Sequence, residues 1–197
     1  MKTHMVKDLM VPLAEYATVP EDATLYDAVM ALEKAQAAFD QTRYRHRALL
    51  VLNANQRVIG KISQLDVLKA LEPKYEQVMG RKGIMAHSGL TREFMKSLMS
   101  HYGLWSGAMS EICKKAATLK VKDFMHEPTE GEHIDETATL NEAIHQLVIG
   151  QHQSLLVTHQ GHIVGILRLT DVFAAVLHAI KTCALDDQVS SLRSQLE

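Results

Sequence analysis

The chain has 197 residues, 47% of them hydrophobic, and a formal net charge of −2, which suits one large domain or two small domains sharing a core. This nearly balanced charge excludes a global basic surface for nucleic acid. No apolar run approaches the roughly 20 residues of a membrane span, and the N-terminus lacks the apolar run of a signal peptide. The two cysteines have no Cys-x-x-Cys partner. We therefore expect a cytoplasmic protein with reduced thiols.

Four sequence blocks occur twice in the same order. The first block, VKDLM, returns almost unchanged as VKDFM in the second half of the chain. The matched blocks are 6–10 with 121–125, 21–29 with 136–144, 47–60 with 153–165, and 62–68 with 167–173. This agreement indicates an internal duplication.

Each copy predicts a strand, a helix, two strands and a second helix. Capping boxes at Thr24-x-x-Asp27 and Thr139-x-x-Glu142 start the first helices. Paired β-rich runs separated by polar turns then predict hairpins, and further helices close the copies. The predicted ranges are strands 48–52, 58–62, 155–158 and 162–167, and closing helices 65–71 and 170–180. Because a three-stranded sheet buries little surface alone, the copies should pack on each other.

The stretch 73–118 between the copies predicts an additional helical region. Its apolar residues follow a spacing of three or four, from Leu90 through Phe94, Leu98 and onward. Gly103 and Gly107 are expected to divide it into two helices. We consider two roles: a helical hairpin packed on the module or on a dimer mate, and a signalling surface or lid over a cleft.

The C-terminal tail, 181–197, predicts a short helical seam. Leu185, Val189, Leu192 and Leu196 are spaced four, three and four residues apart, with polar residues between them. Such a seam is too short to be stable alone. It indicates a homodimer contact or docking on a partner.

Two short motifs carry a resemblance to a known family. Gly60-Lys61-Ile62-Ser63-Gln64-Leu65-Asp66 resembles the Gly-h-h-Ser/Thr-x-x-Asp motif (h, hydrophobic) of the CBS domain, and Gly165 to Asp171 matches except that Arg168 replaces Ser or Thr. The resemblance covers 6–72 and 119–180 and implies an α/β (α+β) fold of tandem CBS domains, each a small three-stranded sheet with two helices. It implies these domains: 1–72, first CBS domain; 73–118, helical insertion; 119–180, second CBS domain; 181–197, helical tail.

The resemblance also implies a nucleotide site. Asp66 would hold a ribose, since a carboxylate accepts hydrogen bonds from both hydroxyls of a cis-diol, and Ser63 with the helix start would hold phosphate. The backbone near Thr18-Val19-Pro20, with Ile62, would frame adenine. The candidate residues are Thr18, Val19, His46, Arg47, Gly60, Ile62, Ser63, Asp66, Arg168, Thr170 and Asp171, with Arg43 and Arg45 adding positive potential.

Simpler interpretations stay open for several of these residues. Ser63-x-x-Asp66 is also an acceptable capping box that needs no ligand, and the arginines at 43–47 are also compatible with a solvated helix end. Arg168 could reach a phosphate or fill the second cleft. Leu50 and Leu156 occupy positions where family members usually have proline. We therefore expect two unequal sites, the better one around Ser63 and Asp66.

These features together predict a regulatory module, not an enzyme. The sequence has no Walker loop, nucleophile elbow or metal motif, and its 11 histidines are dispersed, which favours surface or capping roles over a metal site. We expect a homodimer with no required cofactor that senses an adenine nucleotide and signals to a regulated protein, without contacting nucleic acid or membrane. AMP, ADP, ATP, S-adenosylmethionine and NAD-type ligands all stay open. The alternative is an interaction module with vestigial sites.

Overall fold

The computed structural model describes residues 4–38, 47–79, 91–107 and 109–194, of which 183–194 are described by their backbone alone. The described strands are β1 (Val11–Pro12), β2 (Thr18–Pro20), β3 (Ala48–Leu52), β4 (Val58–Ser63), β5 (His133–Asp135), β6 (Ser154–His159) and β7 (His162–Arg168). The described helices are α1 (Val6–Leu9), α2 (Leu25–Ala38), α3 (Gln64–Leu71), α4 (Lys74–Met79), α5 (Arg92–Tyr102), α6 (Met109–Thr118), α7 (Leu140–Ile149) and α8 (Leu169–Ser194).

The described residues form two compact units, and each unit takes segments from both halves of the sequence. The Asp66 unit comprises 17–38, 47–79, 91–107 and 109–127; the Asp171 unit comprises 4–16 and 128–194. Each unit is named for the aspartate of its motif. The duplicated helices and hairpins appear where the capping boxes and polar turns predict them, so the mixed α/β fold with two small sheets is confirmed.

The Asp66 unit contains a three-stranded sheet in the order β2-β3-β4. β2 runs parallel to β3, and β3 runs antiparallel to β4. The central strand has three consecutive buried residues, Leu49, Leu50 and Val51, because both of its faces are covered, and covered strands consist of continuous apolar runs. Val19 of β2 and Ile62 of β4 belong to the same core as Leu49 and Val51.

The Asp171 unit has a fourth strand in addition to the predicted three. Its sheet has the order β1-β7-β6-β5, and the two-residue strand β1 pairs antiparallel with β7, Val11 opposite Ile166 and Pro12 opposite Gly165. A Cβ on Gly165 would lie 2.6 Å from the carbonyl oxygen of Val11. The close approach of the two strands therefore requires a glycine at this position.

The duplicated first blocks are exchanged between the units. The backbone N–H of Val6 donates to the Ala138 carbonyl of the second copy at 2.9 Å, and that of Val121 donates to the Ala23 carbonyl of the first copy, also at 2.9 Å. Both valines are fully buried. Each unit is therefore completed by the block that belongs, in sequence, to the other copy.

The helical insertion is confirmed as helices α4, α5 and α6. Thr91 caps α5 by accepting a hydrogen bond from the Phe94 N–H at 3.2 Å, and Gly103 ends this helix in the left-handed region at φ 56°. α6 starts two residues after Gly107, so the predicted division into two helices is present. Leu90, at the start of the predicted apolar stripe, lies outside the described residues.

The last helix is longer than predicted: α8 runs unbroken for 26 residues into the tail, from Leu169 to Ser194. The side chains of Leu185, Val189 and Leu192, together with Leu196, lie outside the described residues. The seam that they form in sequence stays a prediction. Over the part of the chain that the structure describes, no helix combines the length and apolar character that a membrane crossing requires.

Candidate functional site

The candidate site begins where β4 passes into α3. Ser63 is the N-cap of α3, and its side chain and that of Asp66 form a complete capping box. Oδ2 of Asp66 accepts from the Ser63 N–H at 2.9 Å and from the Ser63 hydroxyl at 2.6 Å, and the Asp66 N–H donates back to Oγ of Ser63 at 3.3 Å. The box fixes the Asp66 carboxylate against the first turn of the helix.

The same geometry occurs at a helix start where no ligand is expected. In α2, Oδ2 of Asp27 accepts from the Thr24 N–H at 2.9 Å and from the Thr24 hydroxyl at 2.7 Å. These two hydrogen bonds lower the pKa of Asp27, because they stabilise the charged form. Capping alone therefore accounts for the contacts between Ser63 and Asp66, and any further role must come from the surroundings of Asp66.

The surroundings of Asp66 differ from those of Asp27, because Asp66 is half-buried and lines a cleft. The cleft has a volume of about 210 Å³. Its lining residues are Asp66, Lys69, Ala70, Pro73, Tyr75, Glu76, Leu119, Asp123 and Phe124. Among the described residues, no hydrogen bond ends on Oδ1 of Asp66. That oxygen can accept a hydroxyl from a molecule in the cleft.

The size and charge of this cleft limit what part of a nucleotide it takes. Sites for drug-sized ligands measure roughly 300–1,000 Å³, so about 210 Å³ suits a ribose better than a whole nucleotide. Three of the lining residues carry carboxylates, and Lys69 is the cation among them. This excess of negative charge disfavours phosphate inside the cleft and favours a neutral group that donates hydrogen bonds.

Other predicted residues lie at the end of the sheet where α3 begins. Thr18 opens β2, Arg47 directly precedes β3, and Ser63 closes β4. The registers Thr18 with Leu50 and Ala48 with Ser63 bring the three positions to the same end. Because strands lie about 4.8 Å apart, β2 and β4 are about 10 Å apart. The exposed Arg47 lies between them, and its carbonyl accepts from the Gln64 N–H at 3.1 Å.

Three further candidates belong to the core and not to a surface. Val19 and Ile62 are buried among apolar residues, and a Cβ on Gly60 would lie 2.5 Å from Sδ of Met125. Only their backbone atoms are available for contact with a ligand. His46, Arg43 and Arg45 lie outside the described residues, so their roles stay predictions.

The equivalent position in the Asp171 unit is occupied by a buried ion pair. Nε of Arg168 donates to Oδ2 of Asp171 at 2.5 Å, and Nη2 donates to Oδ1 at 2.5 Å. The Arg168 side chain is 6% exposed and that of Asp171 17% exposed. Both carboxylate oxygens of Asp171 are therefore engaged by Arg168, and whether Arg168 fills a cleft there or reaches a phosphate stays a prediction. Thr170 lies beside the pair in the first turn of α8, half-buried.

Tyr16, which the sequence did not predict as a site residue, lies close to this ion pair. It is buried, and burial raises the pKa of its phenol to about 12, with smaller and opposite influences from Arg168 and Asp171. Tyr16 comes from the first copy, so no motif of the second copy points to it. Tyr75, Asp123 and Phe124 were also missed; of these, only Asp123 and Phe124 had a signal, since they lie in the duplicated VKDFM block.

The histidines do not form a metal centre in the described part of the chain. There, no group of three or more histidine, cysteine, aspartate or glutamate side chains is arranged to hold a metal ion. His159 instead pairs with Glu136, Nδ1 to Oε1, at 2.6 Å.

Solved structures with this fold include several proteins with the same tandem arrangement. The CBS-pair protein CBSX2 from Arabidopsis thaliana matches with a TM-score of 0.56 at 18% identity, over 91% of this chain and 99% of that chain. CBSX2 in complex with AMP matches at 0.54 and 19% identity, over 89% and 98%. The CBS domain of a CBS-domain-containing membrane protein from Sphaerobacter thermophilus matches at 0.56 and 17% identity, over 88% of both chains.

At these identities the likeness shows the fold alone, and no curated protein matches the sequence significantly. The sequence model of the CBS domain, however, matches residues 6–73 and 121–178, together more than half of the chain. Each matched range contains one of the two motifs described above, Gly60 to Asp66 in the first range and Gly165 to Asp171 in the second. The chain therefore belongs to the CBS domain family and carries two CBS domains in tandem.

Proposed function

We propose that this protein is a cytoplasmic regulatory module that binds one adenine nucleotide per chain in the Asp66 unit. The observation that carries the proposal is the carboxylate of Asp66, which lines a cleft and has an oxygen without a hydrogen bond among the described residues. Family membership and the AMP complex of the similarly folded CBSX2 support an adenine nucleotide as the ligand.

In this proposal, the ribose occupies the cleft and its hydroxyls donate to Asp66. Adenine lies along the sheet end, against the backbone of Thr18 and Val19 and beside Ile62. The phosphates lie outside the acidic cleft, toward the exposed Arg47, where their charge is compensated. This arrangement is compatible with AMP, ADP, ATP, S-adenosylmethionine and NAD-type molecules.

The insertion is the proposed route by which binding is signalled. α3 carries Asp66 in its first turn, and its other end is attached to the insertion: Nζ of Lys115 donates to the Leu71 carbonyl at 2.8 Å. Tyr75 lines the cleft at Asp66 and accepts a hydrogen bond from Nε1 of Trp105 at 2.9 Å. A ligand that shifts α3 or Tyr75 therefore displaces the insertion helices, where a regulated protein would bind.

Substitution of Asp66 tests the nucleotide site. In Asp66→Asn, one oxygen still accepts for the cap, but the charged acceptor for ribose is lost, so affinity should fall about tenfold or more, as expected for a hydrogen bond to a charged group. Asp27→Asn is the matched control, because it changes the same capping geometry without a cleft. AMP, ADP, ATP, S-adenosylmethionine and NAD are titrated separately by calorimetry into each protein.

A thermal shift assay gives a second readout. A ligand at one hundred times its Kd stabilises the folded state by about 2.7 kcal/mol, which raises the Tm of a chain of this size by roughly 5–10 °C. If none of the five ligands binds at millimolar concentration, the nucleotide proposal fails. The second candidate, an interaction module with vestigial sites, would then take its place; the similarity of the box at Ser63 to the plain capping box at Thr24 favours it.

Exposed apolar side chains on the helices support the proposed homodimer. In the Asp66 unit, they are Tyr26, Val29 and Met30 of α2 and Leu65 and Leu68 of α3; in the Asp171 unit, they are Val148 and Ile149 of α7 and Phe173 and Ile180 of α8. Such side chains mark association surfaces when they cluster. We expect a dimer in sedimentation at tens of micromolar and a monomer after Leu65→Asp with Phe173→Asp. A monomeric native chain would refute the homodimer.

A further inference from the structure

A second cleft lies where the end of α3 meets the insertion, and it shares no lining residue with the cleft at Asp66. Its volume is about 320 Å³. The lining residues are Leu71, Glu72, Lys74, Trp105, Ser106, Gly107, Glu111, Ile112 and Lys115. This volume is at the lower end of the roughly 300–1,000 Å³ of ligand sites. It suits a metabolite much smaller than a nucleotide.

Glu72 is the unusual residue of this cleft. It is 6% exposed, and its Oε2 accepts a hydrogen bond from the Trp105 N–H at 2.8 Å. Among the described residues, Glu72 forms no ion pair with a lysine or arginine. A buried carboxylate without a counter-charge is costly. The two lysines that line the same cleft donate to backbone carbonyls instead, so the Glu72 carboxylate is left for a cationic group of a ligand.

A second carboxylate, that of Glu111, also lines this cleft. Glu111 is in the first turn of α6 and is exposed. Its Oε2 lies directly over Gly107, in the space that a Cβ at that position would fill. A side chain at 107 would displace this carboxylate from the cleft. Glu72 and Glu111 together provide acceptors for an ammonium group.

Two lysines place positive charge in the same cleft. Nζ of Lys74 donates to the Gly103 carbonyl at 3.0 Å, and Nζ of Lys115 donates to the Leu71 carbonyl at 2.8 Å. Each ammonium has three N–H donors, so these bonds leave donors for an anion. The lining therefore carries two positive and two negative side chains, which disfavours a polyamine and equally disfavours a polyanion.

From this charge pattern, we propose that the cleft in the insertion binds a small zwitterion of the α-amino acid class. The ligand ammonium contacts Glu72 and Glu111, and the ligand carboxylate contacts Lys74 and Lys115. Leu71, Ile112 and the Trp105 indole provide apolar surface for a side chain. The site is separate from the nucleotide site, so the module would have two inputs, one of them built by the insertion.

Trp105 makes this proposal directly measurable, because it is the only tryptophan of the chain. Each of the standard L-amino acids except tryptophan, whose own emission would hide the signal, is titrated into the full-length protein without nucleotide, and Trp105 emission is recorded. We expect a saturable change with one or a few of them. The N-acetyl derivative, which lacks the ammonium, and the amide derivative, which lacks the carboxylate, should each bind at least tenfold more weakly.

Glu111→Gln identifies the site without touching the buried Glu72. It should weaken amino acid binding about tenfold, because a charged hydrogen bond is lost. Glu93→Gln is the matched control, since Glu93 is an exposed carboxylate in the first turn of α5. Three results would overturn the proposal. The first is no change in Trp105 emission with any of the amino acids at 10 mM, which is about the weakest binding worth assigning. The others are equal binding of the N-acetyl or amide derivative, and equal affinity of Glu111→Gln and the native protein.

Discussion

The two units place the same aspartate of the same motif in opposite situations. Asp66 is paired with a serine, which occupies one of its oxygens; the other oxygen accepts no hydrogen bond among the described residues, and the residue lines a cleft. Asp171 is paired with an arginine, which occupies both of its oxygens and is itself buried. One substitution, serine to arginine, therefore replaces an open acceptor by a closed ion pair. The two motifs therefore occupy the same place in the fold, and their aspartates differ in the contacts that they make.

The largest effect in this comparison is expected from removal of Arg168. Arg168→Ala leaves the Asp171 carboxylate without its partner beside the buried Tyr16, and loss of one partner from a buried pair costs about 3–5 kcal/mol of the free energy of unfolding. Urea denaturation measures the loss. The equivalent change in the other unit, Ser63→Ala, removes only a cap and should cost about 1 kcal/mol.

A double substitution distinguishes the cost of leaving one charge unpaired from the cost of losing packing. Arg168→Met with Asp171→Leu replaces the pair by apolar side chains, and its stability should be close to that of the native protein, because no lone charge is left behind. A cost below about 1 kcal/mol for Arg168→Ala would show that the pair does not close the Asp171 site as described.

Substitution of the two motif glycines by alanine should also destabilise the protein to different degrees. Gly165→Ala forces a Cβ against the Val11 carbonyl, a backbone atom of a paired strand, whereas Gly60→Ala meets the flexible end of Met125. We expect about 1–3 kcal/mol of destabilisation for Gly165→Ala and a smaller cost for Gly60→Ala, measured by urea denaturation. Equal costs would contradict the tighter β1–β7 approach in the Asp171 unit.

We also expect a pH dependence confined to the Asp171 unit. Burial raises the pKa of Tyr16 from 10.0 to about 12 in the folded protein. The unfolded chain therefore loses the Tyr16 proton first as the pH rises, so the stability that this group contributes is complete below pH 10 and is lost between about pH 10 and 12. Each pH unit in that window corresponds to up to about 1.4 kcal/mol.

Tyr16→Phe isolates this contribution from the other groups that titrate in alkali. The stability of the native protein should fall more steeply than that of Tyr16→Phe between about pH 9.5 and 11, as measured by urea denaturation at each pH. This window extends from about half a unit below to about one unit above the ordinary tyrosine pKa. Parallel curves would show that Tyr16 is not held protonated beside Arg168 and Asp171.

Local sequence signals were sufficient for the duplicated helix starts and hairpins of both units, but not for the short strand β1 or for the full length of α8. The boxes at Thr24 and Thr139 determine where two helices start, and the polar turns determine the hairpins, because these features depend on neighbouring residues. The exchange of the blocks at 6–10 and 121–125 was not predictable in this way. It depends on contacts between distant segments, such as Val6 with Ala138, and no local pattern encodes them.

The residues of the candidate site could be predicted only in part from the sequence, because contacts between distant segments also determine which residues meet there. The motif located Ser63 and Asp66, and Arg168 was recognised as a departure, but its two possible roles were left open because a sequence does not show where a long side chain ends. Tyr16 comes from the first copy and lies near Arg168 and Asp171, and Tyr75 reaches the cleft at Asp66 from the insertion, so both required the assembled fold. Glu72 had no signal at all, since its burial depends on the insertion.

The stoichiometry of nucleotide binding tests the central difference between the units most directly. Isothermal titration of the full-length protein with the tightest of the five nucleotides should give about one site per chain, because the Asp171 carboxylate is already engaged by Arg168. Asp66→Asn should weaken that site about tenfold or more, and Arg168→Ser, which restores the motif in the second copy, should raise the number toward two. Two sites in the native chain, or an affinity that Asp66→Asn leaves unchanged, would contradict this account.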